Sequence, residues 1–217
     1  MAERYKQIQL IIDYIKPASI VEIGTWNGDR ALEMAEAALQ YHSHVHYWGF
    51  DLFDSATDQS DTEELNVKLH VSLIEVQANL DRFKKSNTGF SADLISGNTR
   101  NTLNQSDLPI WFNPSSQKSI KLTNADLVFI DGGHSIKTIE NDYNSLKSCK
   151  NILMDDFYSK CDRGLSPDIT KFGCNQIVEG LIHWILPVKD PVVGGGMVQI
   201  VALGTLASLF DTENYHT

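Results

Sequence analysis

The sequence predicts an α/β fold in which a doubly wound, mostly parallel sheet of seven strands is covered by helices on both faces. Two observations support this prediction. Seven short runs rich in β-branched and aromatic residues alternate with segments whose apolar residues recur every three to four positions. Most connections between the runs are long enough to contain a helix, which a parallel pair of strands requires.

Composition narrows the class of protein. The 217 residues are 42% hydrophobic, enough for the full core of one α/β domain, so we expect a single domain over residues 1–217. A net charge of −10 argues against a nucleic-acid partner and against an anionic membrane surface. Cys149, Cys161 and Cys174 are odd in number and lack C-x-x-C spacing, so neither a disulfide framework nor a zinc site is expected. The polar N-terminus and the lack of a long apolar run favour a cytoplasmic protein.

The first half of the chain alternates helices and strands. It predicts, in order, a helix, a strand, a helix and a strand, over residues 5–15, 19–23, 29–41 and 45–50. Pro17 ends the first helix just before the first strand. Asp61, with Glu64 three residues later, is expected to cap a long third helix. The apolar face of that helix comprises Leu69, Leu73, Val76, Leu80 and Phe83.

The second half continues the same alternation. It predicts five further strands, over residues 92–96, 125–130, 151–154, 184–189 and 197–203. Helices are expected over residues 100–107, 136–146 and 177–182. Residues 108–124 contain two prolines and a serine-rich middle, and they are expected to form a loop insertion in which Trp111 and Phe112 are exposed. The last two strands are joined through Pro191 and the glycines at positions 194–196.

Polar residues follow five of the predicted strands at their carboxyl ends, which is where parallel sheets bind ligands. They are the glycine turn at positions 24–28, Asp51, Gly97 with Asn98, the segment 131–134, and Asp155 with Asp156. Core packing does not select carboxylates, so a ligand site is favoured. Aspartate as a helix N-cap is the alternative. It explains the adjacent pair Asp155 and Asp156 less well, because one cap needs one carboxylate.

The glycine turn after the first strand is a candidate cofactor site. Its backbone N–H groups lie at a helix N-terminus, where they can hold an anionic or polar ligand, although a tight turn without a ligand is also consistent. Asp51 follows the turn by about 20 residues, the position of a carboxylate that binds two ribose hydroxyls. A nicotinamide-dependent oxidoreductase presents the same acid. Trp26, however, stands where the dinucleotide motif has its central glycine, and it would obstruct a pyrophosphate.

Four segments together resemble class I S-adenosylmethionine-dependent methyltransferases. They are residues 21–28, 49–51, 129–134 and 153–157. Their order and spacing are similar to the small-molecule O-methyltransferase branch, whose fourth strand is followed by an Asp-Gly-x-His motif, here residues 131–134. The resemblance covers residues 19–203 and implies a Rossmann-like fold with an antiparallel last strand.

The resemblance also implies which residues hold the cofactor, S-adenosyl-L-methionine. The methionine end would be wrapped by the glycine turn, which consists of Gly24, Thr25, Trp26, Asn27 and Gly28. Glu22 would lie beneath this turn, and Asp51 would bind the ribose hydroxyls. Gly97 and Asn98 would lie beside the adenine, and Asp131 would complete the cofactor contacts.

Asp131, Asp155 and Asp156 offer hard oxygen ligands at the ends of two predicted strands, which suits Mg²⁺ or Mn²⁺. Some O-methyltransferases similar to this chain hold a divalent metal with aspartates at matching positions. Such an ion would orient an acceptor hydroxyl and lower its pKa, and His134 would accept the proton. Asp131 and His134 are therefore the predicted catalytic residues. The alternative for His134 is a histidine at a helix start that bonds only to nearby backbone.

The sequence thus predicts an enzyme that methylates a hydroxyl of a small molecule, such as a sugar or a natural product, with help from a divalent metal. A nicotinamide-dependent oxidoreductase and a non-catalytic protein that binds a nucleoside cofactor are the alternatives. The expected partner is a small hydroxylated acceptor. A homo-oligomer is a candidate assembly.

Overall fold

The structure is a computed structural model that describes residues 2–160, 167–192 and 195–207. Cys161 and Gly194 lie outside these residues. The strands of the described part are β1 (Ser19–Ile23), β2 (Val45–Asp51), β3 (Phe90–Ser96), β4 (Ile110–Asn113), β5 (Lys118–Lys121), β6 (Leu127–Ile130), β7 (Asn151–Ser159), β8 (His183–Pro191) and β9 (Met197–Gly204). Seven of them form one sheet in the order β3-β2-β1-β6-β7-β9-β8, and β4 pairs separately with β5.

The strand directions confirm the predicted fold class. Strands β3, β2, β1, β6 and β7 run parallel to one another. Strand β9, the last along the chain, is antiparallel to its neighbours β7 and β8. Strand β1 lies between β2 and β6, so the chain winds away from β1 in both directions. Such a switch point opens a crevice above the carboxyl ends of the strands.

Helices cover both faces of this sheet. The described residues form α1 (Lys6–Ile15), α2 (Asp29–Leu39), α3 (Asp58–Glu64), α4 (Leu73–Ser86), α5 (Thr99–Thr102), α6 (Ile136–Leu146) and α7 (Asn175–Val178). Helices α1, α2 and α4 pack on one face against strand residues such as Ile20 and Tyr47. Helices α6 and α7 pack on the other face against residues such as Val21 and Trp48. Since both faces are buried, the central strands are almost continuously apolar.

The prediction of one long helix from Asp61 is wrong. Two helices, α3 and α4, occupy this region, and residues 65–72 separate them. Each begins with its own capping box, formed by Thr57 with Ser60 and by Ser72 with Glu75. Leu69 lies in the connection, where 87% of its surface is exposed. Asp61 lies inside α3 and accepts a hydrogen bond from Asn66 instead of capping the helix.

The segment 108–124, expected to be a loop, contains the antiparallel pair β4 and β5. Its prolines flank β4 without interrupting it, so they mark the ends of a strand. Trp111 is buried, in contrast to the expectation, and its ring stacks on His46 with 5.3 Å between ring centroids. Phe112, on the opposite face of β4, is 57% exposed. Trp111 therefore contributes to packing the β4–β5 pair against β2.

Two further expectations can be compared with the described residues. Cys149 and Cys174 are both buried and free of disulfide bonds. Within residues 2–160, 167–192 and 195–207, no helix is both long enough and apolar enough to cross a membrane.

Asp142, on α6, is a buried carboxyl group with an unusual environment. Its Oδ1 atom accepts a hydrogen bond from Asn141 at 3.1 Å, whereas Oδ2 has no hydrogen-bond partner in the described part of the chain. Burial raises the pKa of Asp142 to about 7. Folding at neutral pH therefore requires this carboxyl group either to take up a proton or to remain charged while shielded from water.

We expect Asp142→Asn to stabilise the protein above neutral pH. Because the pKa of Asp142 is higher in the folded than in the unfolded state, the wild type loses stability as the pH rises from about 4 to about 7. Each unit of pKa difference corresponds to about 1.4 kcal/mol, and a neutral asparagine avoids this loss. The Tm gain of the variant should be small in acid and several degrees at mildly alkaline pH. A gain of equal size at both pH values, or a matching gain for the exposed Asp107→Asn control, would contradict the assignment.

Candidate cofactor and catalytic site

A cleft opens above the carboxyl ends of β3, β2, β1 and β6, at the switch point of the sheet. The side nearest β3 and β2 includes Gly97, Asn98 and Asp51, and the side nearest β1 and β6 includes Gly24, Trp26, Asp131 and His134. Helix α3 and the residues after it, which we call the roof segment (residues 58–70), cover the cleft. The structure thus brings most of the predicted site residues around one cavity.

The glycine turn after β1 is shaped by a close approach to the end of β6. Gly24 has φ of +92°, and a Cβ atom there would lie 1.9 Å from the carbonyl oxygen of Asp131. Only glycine can occupy this position. The Gly24 N–H donates to the carbonyl of Phe50 at 2.8 Å, which ties the turn to β2 as well. The turn is therefore held in one place over three adjacent strand ends.

Asp51 connects the end of β2 to the glycine turn. Its Oδ2 atom accepts a hydrogen bond from the Trp26 backbone N–H at 2.7 Å, and its Oδ1 atom accepts one from the Phe53 N–H at 3.1 Å. A carboxylate has about four acceptor positions, so two remain for a ligand. Beside it, the Gly97 N–H donates to the Asp51 carbonyl, and Asn98 caps α5 by accepting from the Arg100 N–H. Asp51 is therefore held rigidly with acceptor capacity to spare.

Four of the predicted cofactor residues support the turn through their side chains or their backbone. Glu22 is fully buried beneath it, accepting from Arg30 Nε at 2.6 Å and from the Tyr47 hydroxyl. Thr25 is within hydrogen-bond distance, 3.1 Å, of the same Tyr47 hydroxyl. Asn27 donates to Asp29, and Gly28, with φ of +81°, precedes α2. Contact between these four residues and a cofactor stays a prediction.

Asp131 stands at the end of β6 and lines the cleft. Its Oδ2 atom lies 2.7 Å from Arg30 Nη2 and 3.0 Å from the Tyr5 hydroxyl. Burial raises the pKa of Asp131 to about 7, although the Arg30 charge opposes the rise. Arg30 thus links Asp131 to Glu22 on the neighbouring strand, β1.

Asp155, on β7, is paired with the N-terminal segment. Arg4 Nε donates to its Oδ1 atom at 2.8 Å, and Arg4 Nη2 donates to its Oδ2 atom at 2.6 Å. The Tyr5 hydroxyl lies 2.8 Å from the same Oδ2 atom. Burial alone would raise the pKa of Asp155, but the hydrogen bonds and charge of Arg4 bring it below the ordinary value. This carboxyl group is therefore an ionised partner in a bidentate ion pair.

Asp156 makes different contacts from Asp155, because it lies in a bulge of β7 where its φ of +62° interrupts the regular strand. Its Oδ1 atom accepts a hydrogen bond from the Tyr158 hydroxyl at 3.0 Å, and its Oδ2 atom lies 3.5 Å from His134 Nε2. His134 Nδ1 lies 2.5 Å from the carbonyl oxygen of Glu64. Since a carbonyl can only accept, Nδ1 carries the hydrogen. The Asp156 charge raises the pKa of His134.

The metal centre expected at Asp131, Asp155 and Asp156 does not fit these contacts. Arginine or histidine nitrogens already lie against all three carboxyl groups, and Asp155 and Asp156 belong to separate networks. Within the ranges that the structure describes, no group of three His, Cys, Asp or Glu residues is arranged to hold a metal ion. The residues present do not fit a divalent ion, which needs several oxygens converging on one point.

The sequence gives no indication of the contacts of the roof segment. Glu64 accepts hydrogen bonds at the start of α6 from the Ser135 N–H at 2.7 Å, the Ser135 hydroxyl at 2.9 Å and the Thr138 hydroxyl at 2.6 Å. An added Cβ at Gly133 would lie 2.6 Å from Glu64 Oε2, so the glycine in the Asp-Gly-Gly-His segment makes room for this carboxylate. At the other end, Trp26 Nε1 donates to the Leu69 carbonyl at 2.9 Å.

Other residues of the site could not be predicted from the sequence. Arg4 and Tyr5 precede α1 in a 3-10 turn over Glu3–Tyr5, and Arg30 lies in the first turn of α2. Lys68 lines the cleft, with its Nζ 5.4 Å from the centre of the Trp26 ring. A partial signal is present for Arg30 alone, because an arginine placed directly after the glycine turn is close to the buried Glu22. The others depend on contacts across the whole chain.

The fold and the cleft define a doubly wound α/β protein with its ligand site at the switch point of the sheet. A family model described as a methyltransferase domain matches residues 21–151, which is more than half of the chain. The chain therefore belongs to this family of methyltransferases. No curated protein sequence matches the chain significantly.

Solved structures of O-methyltransferases share this fold. The O-methyltransferase NovP has a TM-score of 0.58 and 16% sequence identity, covering 93% of this chain and 78% of that chain. TomG from Streptomyces achromogenes, involved in tomaymycin synthesis and solved with SAM, has a TM-score of 0.56 and 14% identity over 94% of this chain and 81% of that chain. The Bacillus cereus O-methyltransferase, solved with SAH, has a TM-score of 0.55 and 15% identity over 93% and 80%. At these identities the likeness shows a common fold.

We expect Glu64→Ala to release the roof segment. The change leaves the three donors of Ser135 and Thr138 without their acceptor, and hydrogen bonds to a charged group contribute about 1.5–3 kcal/mol each. Amide hydrogen exchange in α3 should therefore accelerate by at least about tenfold. Glu36→Ala, which removes an exposed carboxylate from α2, is the control and should leave α3 unchanged. Equal exchange in the Glu64 variant and the wild type would show that this contact does not hold the roof.

Proposed function

We propose that this methyltransferase transfers the methyl group of S-adenosyl-L-methionine to a hydroxyl of a small molecule. The observation that carries the proposal is the arrangement of one cleft. Asp51, a carboxylate at the position that binds ribose hydroxyls, and His134, a candidate proton acceptor, lie on either side of the glycine turn. O-methyltransferases of the same fold that were solved with SAM or SAH support this proposal.

The residues of the cleft fit such a cofactor. The strand ends follow one another in the order β3, β2, β1, β6, so Asp51 on β2 lies between Gly97 on one side and the glycine turn on the other. With the ribose on Asp51, the adenine would lie toward Gly97 and Asn98, and the methionine part toward Gly24 and Trp26. The Gly24 position excludes a side chain and leaves room for a ligand against the backbone.

Lys68 supplies the charge that the methionine end needs. Its ammonium lies beside Trp26 at the mouth of the cleft, and no described carboxylate is within ion-pair distance of it. It can therefore neutralise the carboxylate of an amino-acid group bound at the glycine turn. When bound, S-adenosyl-L-methionine supplies an electrophilic methyl group on a positively charged sulfur.

His134 is the proposed general base. Its Nδ1–H is held by the Glu64 carbonyl, so the neutral ring presents the lone pair of Nε2. The acceptor oxygen would form its bond to the methyl carbon as the carbon–sulfur bond breaks and S-adenosylhomocysteine leaves, and the proton of the acceptor hydroxyl would pass to His134 Nε2. Asp156, 3.5 Å from that nitrogen, stabilises the imidazolium that results. We propose that Asp131, which lines the cleft beside His134, orients the acceptor hydroxyl.

Two features favour a small acceptor. The roof segment covers the cleft, which limits the size of a molecule that can reach His134. The net charge of −10 disfavours a nucleic acid. A sugar or natural-product hydroxyl therefore remains the proposed acceptor class.

The single domain, the cytoplasmic location and the homo-oligomer also remain predictions.

We expect S-adenosylhomocysteine to raise the Tm of the protein and NADH to leave it unchanged. Asp51→Ala should weaken S-adenosylhomocysteine binding by about 10- to 100-fold, because hydrogen bonds to a charged group contribute about 1.5–3 kcal/mol. Asp51→Asn, which keeps one acceptor oxygen, should be intermediate, and Asp107→Ala should bind like the wild type. Calorimetry measures these affinities. Stabilisation by NADH, with none by S-adenosylhomocysteine, would instead support an oxidoreductase.

We expect His134→Asn to slow methyl transfer without weakening the binding of the cofactor. Loss of a positioned general base costs about 10²- to 10⁴-fold in rate. The measurement is single-turnover transfer from labelled cofactor to a panel of hydroxylated small molecules, paired with S-adenosylhomocysteine affinity. His183→Asn, which changes an exposed histidine on β8, serves as the control. A His134 variant with wild-type rates would remove His134 from the mechanism.

A further inference from the structure

The N-terminal segment places a cation beside two acidic residues, Asp131 directly after β6 and Asp155 within β7. Arg4 forms two parallel hydrogen bonds to Asp155, at 2.8 and 2.6 Å. Its side chain is 12% exposed, and that of Asp155 is 0% exposed. A planar guanidinium in this fork geometry engages both oxygens of the carboxylate at once. The pair is thus a buried, bidentate contact of the kind that arginine makes best.

Arg4 is held in place from its other side as well. Asp190 on β8 accepts hydrogen bonds from the Glu3 and Arg4 backbone N–H groups and from Arg4 Nη1, at 3.0 to 3.1 Å. Gln7, one turn further on, exchanges hydrogen bonds with the backbone of Val188. The 3-10 turn that carries Arg4 is therefore fastened to β8 at two points, and the guanidinium position is built into the fold.

Tyr5 joins Arg4 to the cleft. Its hydroxyl lies 3.0 Å from Asp131 Oδ2 and 2.8 Å from Asp155 Oδ2, and Arg4 Nη2 donates to it at 2.8 Å. Its ring lies between two guanidinium groups, each with Cζ 4.3 Å from the ring centre, those of Arg4 and Arg30. Arg4 thereby compensates the charge of Asp155, Arg30 compensates that of Asp131, and the Tyr5 hydroxyl lies between the two carboxyl groups.

We propose that the Arg4 guanidinium takes the place of a divalent cation beside Asp155 and Asp131, so that methyl transfer needs no bound metal ion. The inference rests on the proposed function for its reference to methyl transfer. Mg²⁺ requires oxygen atoms at about 2.0–2.1 Å in a near-octahedral arrangement. Both carboxylate oxygens of Asp155, which would have to bind such an ion, already accept hydrogen bonds from Arg4, and Oδ2 also lies against the Tyr5 hydroxyl. An ion could bind there only by expelling a buried arginine from three carboxylate contacts.

The direct test is Mn²⁺ binding, followed by electron paramagnetic resonance without cofactor or acceptor. The wild type and the control Lys6→Gln, whose exposed side chain pairs only with Glu3 among the described residues, should show no stoichiometric binding. Arg4→Gln should gain Mn²⁺ binding because it removes the guanidinium from the carboxyl groups of Asp155 and Asp190. Adding Asp155→Asn to that variant should abolish the gain. The proposal would be overturned if the wild type bound Mn²⁺ and Asp155→Asn removed that binding. It would also be overturned if the Arg4→Gln variant folded but bound no more Mn²⁺ than the wild type.

Turnover provides a second arm that needs no variant. Activity of the wild type should be unchanged after EDTA treatment, and a loss that Mg²⁺ or Mn²⁺ restores would overturn the proposal. The two arms also separate this inference from the proposed function. If S-adenosylhomocysteine does not bind, the methyltransferase proposal fails, whereas the Mn²⁺ titration still decides whether Arg4 occupies the place of a metal ion.

Discussion

The structure depends on the need to compensate four buried carboxyl groups on three adjacent strands of the sheet. Glu22 lies on β1, Asp131 lies directly after β6, and Asp155 and Asp156 lie within β7. The side chains of all four are almost completely buried. An uncompensated charge in such a place costs several kcal/mol. Each of the four therefore has a nitrogen-bearing side chain beside it. Arg30 on α2 contacts Glu22 and Asp131, Arg4 before α1 contacts Asp155, and the His134 imidazole before α6 lies against Asp156.

This constraint connects the fold to the chemistry. Arg30 holds Glu22 and Asp131 together, so the glycine turn and the end of β6 keep the spacing that Gly24 requires. The Glu64 carbonyl holds the Nδ1–H of His134, so Nε2 is the atom that can accept a proton. Asp156 lies 3.5 Å from Nε2. The roof segment is attached through the same Glu64, so closure of the cleft and orientation of the base depend on one residue.

Short-range pattern accounts for what the sequence predicts correctly. The β-branched run 19–23, the glycine turn and Asp51 belong to one strand-turn-helix-strand unit, whose spacing is set locally. The partners of Asp131, Asp155 and Asp156 could not be predicted, because a run of acids in the sequence says nothing about which distant side chains reach them. Arg4 and Asp155 are 151 positions apart, and Tyr5 and Asp131 are 126 apart. Glu64 resembles a capping residue in the sequence, yet its carboxylate bonds to Ser135, 71 positions away.

A crystal structure with bound S-adenosylhomocysteine tests the central claim most directly. We expect the ribose hydroxyls to bond to Asp51, the adenine to lie by Asn98, and the sulfur to face Asp131 and His134. Arg4 should remain paired with Asp155, with no metal ion between the carboxyl groups. A ligand bound outside this cleft, or one with its sulfur directed toward Gly97 and away from His134, would contradict the account.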